Sequence, residues 1–247
     1  KRKDGNDMLY GEIEAALLDV VYYSLNTVSV KKSFSITIGE ADYLPTWDRY
    51  YKYVAYTPSS DVKWTTAKTL AENEKYYGRS GYLATIRSAE EAKIVGEQAK
   101  GAGWIGASDA AVENKWEWVT EPGGSVHFWQ GLSPGHPTFP GKPVNGEYSN
   151  WNTNEPNQSG DEDYGHITYN LGPGTEGKWN DLDIDGAPSG NYQPKGYIVE
   201  FGKNGDDPLT ITTFTTFNVP EIIDDSIIED ITCDTGTVNL SAESNSI

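Results

Sequence analysis

Apolar positions along this chain change period several times, and each change marks an element. Ile13, Ala16, Leu17, Val20 and Val21 recur at helical spacing, after which Val28, Val30, Phe34, Ile36 and Ile38 alternate. A helical turn followed by strands is therefore expected within residues 1–44. A tyrosine-rich run over 50–56 reads as another strand. Helix formers occupy 65–77, with Gly78 as the stop. Ser88-Ala89-Glu90-Glu91 opens a second helix, with a capping hydroxyl and early acids at the positive end of its dipole. Strands are expected again at 104–106 and 115–120. From 121 to 177 Gly, Pro, Asn and Ser dominate and no period survives. A loop that long inside a compact domain is unusual unless it carries function. Leu209 to Val219 alternates as a strand, and 220–230 is an acidic linker. The pattern is α+β, with two helices, short strands and one long loop between β-rich flanks.

Charge narrows the partners. Nineteen basic residues against 37 acidic ones give a net charge of −18 over 247 residues. Nucleic acid and anionic membrane are poor partners for such a chain, because phosphate binding needs clustered Lys and Arg. A cation such as calcium is the natural counterion. Eight Trp, 16 Tyr and 26 Gly suit a loop-rich fold anchored by aromatic side chains. Cys233 is the only cysteine, so no disulfide forms within the chain. No run of 18 apolar residues offers a membrane span. The start at Lys1-Arg2-Lys3-Asp4, without Met or an apolar leader core, is what a piece of a longer protein would show.

The long loop carries the chemistry. Glu155, Asn157, Glu162, Asn180 and Asp181 place five oxygen-bearing side chains within 27 residues. Calcium takes six to eight oxygens from carboxylates, amide carbonyls, backbone and water in adaptable geometry. Pro156 separates two of these donors, and a cis Glu155-Pro156 bond, accessible because the following residue is proline, would turn both side chains toward one point. Three carboxylates against a doubly charged ion leave about one negative charge, with coordination places free for ligand hydroxyls. Two adjacent sugar hydroxyls fit those places. The competing reading is an ordinary surface turn, since Pro and Asn favour turns for backbone reasons.

Glu155-Pro156-Asn157, Glu162-Asp163 and Trp179-Asn180-Asp181 resemble the primary calcium site of the C-type lectin-like family. The resemblance extends to Trp64 and its helix, Gly81-Tyr82-Leu83-Ala84-Thr85-Ile86, Trp104-Ile105-Gly106, Trp116-Glu117-Trp118 and a last strand from Gly196 to Phe201. It covers about residues 48–202. It implies a C-type lectin-like fold whose long loop binds Ca2+, held by Glu155, Asn157, Glu162, Asn180 and Asp181. It also implies that Glu155, Asn157, Glu162 and Asn180 contact a carbohydrate, and the Glu-then-Asn order implies mannose, glucose, N-acetylglucosamine or fucose. Animal members carry two disulfides that this chain lacks, with Tyr164 where many have Cys. A bacterial-type domain is implied, in which core and bound calcium supply what the bridges would add.

The family's auxiliary calcium site is matched in part by Asp109, Glu113 and Asp163, but Gln158 stands where an Asp would complete it. Asp181-Leu-Asp183-Ile-Asp185-Gly186 imitates an EF-hand start; the twelfth position is Tyr192 rather than Glu, which rejects that motif. His127, His136 and His166 lack zinc-hydrolase spacing, and neither a nucleophile elbow nor a phosphate loop is present. Trp129 and Trp151 are candidates for sugar stacking, with burial favoured for Trp151.

Residues 1–44 resemble the end of a β-sandwich, cadherin-like module. Asp4 to Gly11 echoes one calcium-binding nonapeptide, and 231–247 resembles the start of an immunoglobulin-like module, with 203–230 as strand and linker. The sequence thus points to a calcium-dependent glycan-binding module that breaks no bond, in a secreted or cell-surface adhesin with flanking domains. The alternatives are a lectin-like domain for protein or ice, with calcium shaping the loop, and a glycoside hydrolase using paired carboxylates.

Overall fold

A computed structural model describes residues 9–18, 30–37, 39–56, 62–98, 102–168, 177–210 and 212–219. Residues 4–8 of the nonapeptide echo, the acidic linker and Cys233 lie outside them, while Tyr10 and Gly11 of that echo are helical. Contacts divide the chain into two compact units, one of residues 1–34 and 215–247, the other of 35–214. The first contains helix α1 (Tyr10–Leu18). Strand β1 (Val30–Thr37) pairs with β13 (Thr212–Val219) in a two-stranded sheet.

The larger unit runs β2 (Asp42–Leu44), β3 (Arg49–Ala55), α2 (Trp64–Asn73), β4 (Lys75–Tyr76), β5 (Arg79–Leu83), α3 (Ala89–Gln98), β6 (Gly103–Ser108) and β7 (Lys115–Trp118). It continues with β8 (Val126–Gln130), β9 (Lys142–Pro143), β10 (Tyr164–Ile167), β11 (Trp179–Leu182) and β12 (Gly196–Phe201). The main path of its sheet is β2-β3-β12-β6-β7-β8-β9, with β10 joining β6 and β11. All pairings in this sheet are antiparallel except β12 with β6, where Gly196 faces Gly103 and Tyr197 faces Trp104. Strand β2 falls in the segment that the sequence groups with the preceding module, yet it hydrogen-bonds to β3, Asp42 opposite Tyr51.

Helix α2 forms where Trp64, Ala67 and Ala71 present a buried stripe at helical spacing. Lys63 gives it no side-chain cap; the Trp64 N–H donates instead to the Ile184 carbonyl at 3.0 Å. The helix stops at Asn73, four residues short of the expected end at 77. Glu74 is already extended, and Tyr77 (φ 47°) and Gly78 (φ 88°) make a tight reversal between β4 and β5. Tyr76 has to be strand to lay its ring near those of Tyr50 and Phe201. Helix α3 begins as expected, with the Ser88 hydroxyl accepting from the Glu91 N–H at 3.1 Å.

The stretch 121–177, read as one loop, contains β8, β9 and β10. Strand β8 does not alternate: Phe128 and Trp129 are both buried, and its register against β7 shifts between Trp116 and Glu117. Trp129 is therefore not a stacking platform. It is 3% exposed, and its indole donates to the Gly131 carbonyl at 3.0 Å. Trp151 is buried too.

Two aromatic-rich cores result. One gathers Trp116, Trp118, Phe128, Trp129, Trp151 and Trp179; the other gathers Trp64, Trp104, Tyr50, Tyr197 and Phe201. Ring pairs such as Trp118–Phe128, stacked at 4.5 Å, and Trp118–Trp179, edge-on at 5.3 Å, fill the first. That core closes the neck of the long loop. Trp151 bridges Trp179 in parallel, the Asn152 N–H donates to the Trp179 carbonyl at 2.8 Å, and the Trp179 N–H donates to Asn150 at 3.0 Å.

Candidate functional site

Two strands carry the site from below. In β10 and β11, Gly165 faces Asp181 and His166 faces Asn180, which fixes Asn180 and Asp181 on a paired, buried backbone. Above them the chain turns through Asn152 to Gly160, where Asn154 (φ 68°) and Gln158 (φ 52°) adopt left-handed conformations and the Glu155-Pro156 bond is cis, as the sequence led us to expect.

Asp181 is fully buried and anchors this turn. Its carboxylate accepts from the Asn157 N–H at 2.9 Å and from the Gln158 N–H at 2.9 Å. Asn157 in turn donates its side-chain amide to the Glu155 carboxylate, and the Glu155 and Asp181 carboxyls are hydrogen-bonded to each other. Two carboxyls in contact cannot both be ionised at low cost. Burial first, and for Glu155 then the Asp181 charge, raise both above the ordinary carboxylate range. The Asn180 amide donates to the Asp181 carbonyl at 2.6 Å. Glu162 accepts from the Ser159 N–H at 2.8 Å, and burial followed by the Asp181 and Asp183 charges pushes it up to about 7.

The structure thus brings Glu155, Asn157 and Asp181 into direct contact, sets Asn180 beside them, and leaves Glu162 coupled to the group through its charge. The side chains satisfy one another and backbone donors. Among the described residues, no three His, Cys, Asp or Glu side chains converge on one point able to hold a metal. The donor set nevertheless fits calcium: three carboxylates and two amide oxygens, without His or Cys, are hard ligands. A cation placed among them would replace the proton that Glu155 and Asp181 share and the bonds that Glu155 and Glu162 make in its absence.

Asp109, Glu113 and Asp163 form a neighbouring acidic group. Asp109 is buried, its Oδ1 lacks a hydrogen-bond partner, and burial pushes it up to about 7 with help from the Glu113 and Asp163 charges. Gln158 reaches into this group. Its amide donates to Glu113 at 3.2 Å and hydrogen-bonds Asp163, offsetting part of the rise that burial and the Asp161 charge impose on that carboxyl. An amide N–H pair here does part of what a second cation would do. Asp185 is paired with Lys63 at 2.5 Å, and Asp183 accepts from the Asp185 N–H at 2.9 Å; both are surface-loop acids, as expected.

His166 escaped the sequence reading. It is fully buried beside Trp104 and Tyr192, neither ring nitrogen has a partner, and burial lowers it to about 4. Nothing in its sequence neighbourhood announces that environment.

The Lectin C-type domain model matches residues 62–185, which is 124 of the 247 residues. The chain belongs to the C-type lectin domain family. Halomucin from Haloquadratum walsbyi is 34% identical over 196 residues, covering 76% of this chain and 2% of that protein. The chain therefore spans about 2% of the length of this curated relative. The mouse scavenger receptor C-type lectin carbohydrate-recognition domain is 20% identical, covering 69% of this chain and 99% of that one, with TM-score 0.44. A calcium-independent type II antifreeze protein is 20% identical over 68% and 95% of the two chains, with TM-score 0.42.

C-type lectin domains are generally non-catalytic carbohydrate-binding modules and typically bind calcium. Family and relative together point to an extracellular or surface setting. Among the described residues no helix is long and apolar enough to cross a membrane.

Proposed function

We propose that this C-type lectin domain binds a glycan through calcium held by Glu155, Asn157, Glu162, Asn180 and Asp181, and that it serves adhesion in a multidomain surface protein. The observation that carries the reading is the contact of the Glu155 and Asp181 carboxyls, with Asn157 donating its side-chain amide to Glu155 and its backbone N–H to Asp181. Calcium supplies the positive charge this cluster lacks and open coordination places for two vicinal hydroxyls. Around those places, Glu155 and Glu162 offer acceptors to sugar hydroxyls, while Asn157 and Asn180 offer donors. That order of acid and amide favours mannose, glucose, N-acetylglucosamine or fucose. One shallow site of this kind binds on the order of millimolar, so adhesion requires several copies or extended glycans.

A glycan array with calcium and with chelator tests the reading, using Glu155→Gln/Asn157→Asp as the control. Binding to mannose-type glycans is expected in calcium alone, and the double variant should turn toward galactose or stop binding. A second reading is a lectin-like domain for protein or ice, favoured by the way the carboxylates satisfy backbone donors without converging. Excess mannose and fucose that never displace the bound target would decide for it.

A further inference from the structure

Seven of the eight tryptophans are buried; Trp47, at 43% exposure, is not. It stands on the rim of an open cleft of about 590 Å³ that shares no residue with the candidate calcium ligands. Two tight turns build the walls. On one side Leu44-Pro45-Thr46-Trp47 closes with the Trp47 N–H on the Leu44 carbonyl at 3.3 Å, and the Thr46 hydroxyl ties the turn to Glu90 of α3 at 2.7 Å. On the other, Asn145 (φ 54°) and Gly146 (φ 76°) reverse the chain, with the Glu147 N–H on the Val144 carbonyl at 2.9 Å. Two left-handed residues in succession suit the Asn-Gly pair.

Across the cleft Arg87 forks onto Glu147, Nη2 to Oε1 at 2.8 Å and Nε to Oε2 at 3.1 Å. This pair ties the Asn145–Gly146 turn to the segment that leads into α3 and cancels its own charge. The remaining lining includes the Tyr148, Ser88, Asn145 and Ser149 side chains. Tyr148 leans edge-on against Trp179, 5.9 Å between ring centroids, so its ring is held by the core.

An exposed indole face, fixed polar groups on rigid turns and a charge-neutral wall form one set of requirements. A charged ligand would have to displace the Arg87–Glu147 pair, and a purely apolar one would leave the hydroxyls and amides unpaired. A pyranose meets every surface, with its C–H face on Trp47 and its hydroxyls toward the amide, hydroxyl and ion-paired groups. The volume lies within the range of small-ligand sites. We propose that this cleft is a second saccharide subsite, for a neutral oligosaccharide, that works without calcium.

Trp47 is the one exposed indole among eight, so a blue shift of emission that the wild type shows and Trp47→Ala lacks reports the cleft. The full chain in excess chelator, which silences the calcium site, would be titrated with neutral tetrasaccharides of glucose, mannose and N-acetylglucosamine, with fluorescence and calorimetry in parallel. At least one should shift Trp47 emission to the blue with a dissociation constant on the order of millimolar. Glu155→Gln should leave that response intact. Trp47→Ala, with an unchanged melting temperature, should weaken calorimetric binding by at least about tenfold, as loss of a stacking face does. The proposal is overturned if no neutral sugar moves the emission up to about 20 mM, if calorimetric binding survives in Trp47→Ala, or if Glu155→Gln abolishes the response. It also falls if only uronate-containing sugars bind. The calcium-site reading survives each of these results, since its own test is the chelator-sensitive array.

Discussion

Calcium binding by this domain should release about two protons near pH 6. Glu155 and Asp181 are hydrogen-bonded carboxyls; burial raises both, and the Asp181 charge and hydrogen bond raise Glu155 further, so the pair keeps one proton between them at that pH. Glu162 is pushed up to about 7 by burial and the charges of Asp181 and Asp183. At pH 6 it is roughly nine-tenths protonated by the titration relation. Carboxylates ligate only when ionised, so both protons must leave as the ion enters. The sign follows: calcium affinity rises with pH, with a slope approaching about two decades per unit near pH 6 and flattening once Glu162 has titrated above about 7. Without the metal, these raised acids contribute stability that is present below about 4.5 and is lost as pH rises through about 7 for Glu162.

Calorimetric titration of calcium at pH 6, in two buffers with different ionisation enthalpies, counts the protons directly. Glu162→Gln should lower the count by about one and weaken binding. Equal heats in both buffers would mean that no proton leaves, and the shared-carboxyl account of the site would be wrong.

Three further outcomes follow from the same structure. His166 is lowered to about 4 from an ordinary 6.5, so its neutral burial contributes stability above 6.5 that is lost as pH falls to 4; His166→Phe should gain about 3 kcal/mol on wild type across that window in urea melts, and a constant difference would contradict this. Gly106 has no room for a side chain, because a Cβ would strike Thr120 Oγ1 and come within 2.8 Å of the Leu83 carbonyl; Gly106→Ala should cost about 1–3 kcal/mol in the same melts. Gln158→Asp would remove the amide that bonds Glu113 and Asp163, and should raise the calcium stoichiometry from one to two by equilibrium dialysis; an unchanged value would take Asp109, Glu113 and Asp163 out of the metal question.

The candidate site was legible because its residues are local in sequence. Glu155, Asn157, Asn180 and Asp181 sit on one turn and one strand, and the turn chemistry that places them is written in Pro156 and the asparagines. Helix α3 was legible for a similar reason, since Ser88 and Glu91 form a cap within three residues. What escaped depends on long-range packing. Tyr76 reads as helix by propensity and becomes strand because its ring belongs with Tyr50 and Phe201. Phe128 and Trp129 break alternation because the β7–β8 register shifts between them and their partners. Strand β10 lies among Gly and acidic residues that mask it, and only its pairing with both β6 and β11 makes it a strand. The cleft brings Trp47 together with Glu147, and Arg87 with Glu147 across 60 residues of chain, so no window of sequence contains it.

The single cysteine leaves the long loop to be closed without a covalent link, and the aromatic core meets that requirement. Trp151 and Trp179 flank the part of that loop that holds the Glu155–Asn157 turn and β10, bridged by backbone hydrogen bonds and edge-on at 5.7 Å. Trp118, Phe128 and Tyr148 pack against Trp179 from other elements, so opening the neck would expose several large rings at once. Burial of each such ring is worth about 1.5–3 kcal/mol, so exposing even two of them would match the roughly 2–5 kcal/mol typical of a bridge. The two arrangements differ in kind. A disulfide holds its loop whatever the ionic state of the tip, whereas a packed neck yields when the loop above it is strained by unpaired charge. Glu155, Asp181 and Glu162 supply that charge, and a bound cation relieves it, so metal binding at the tip and packing at the neck stabilise the same segment from opposite ends.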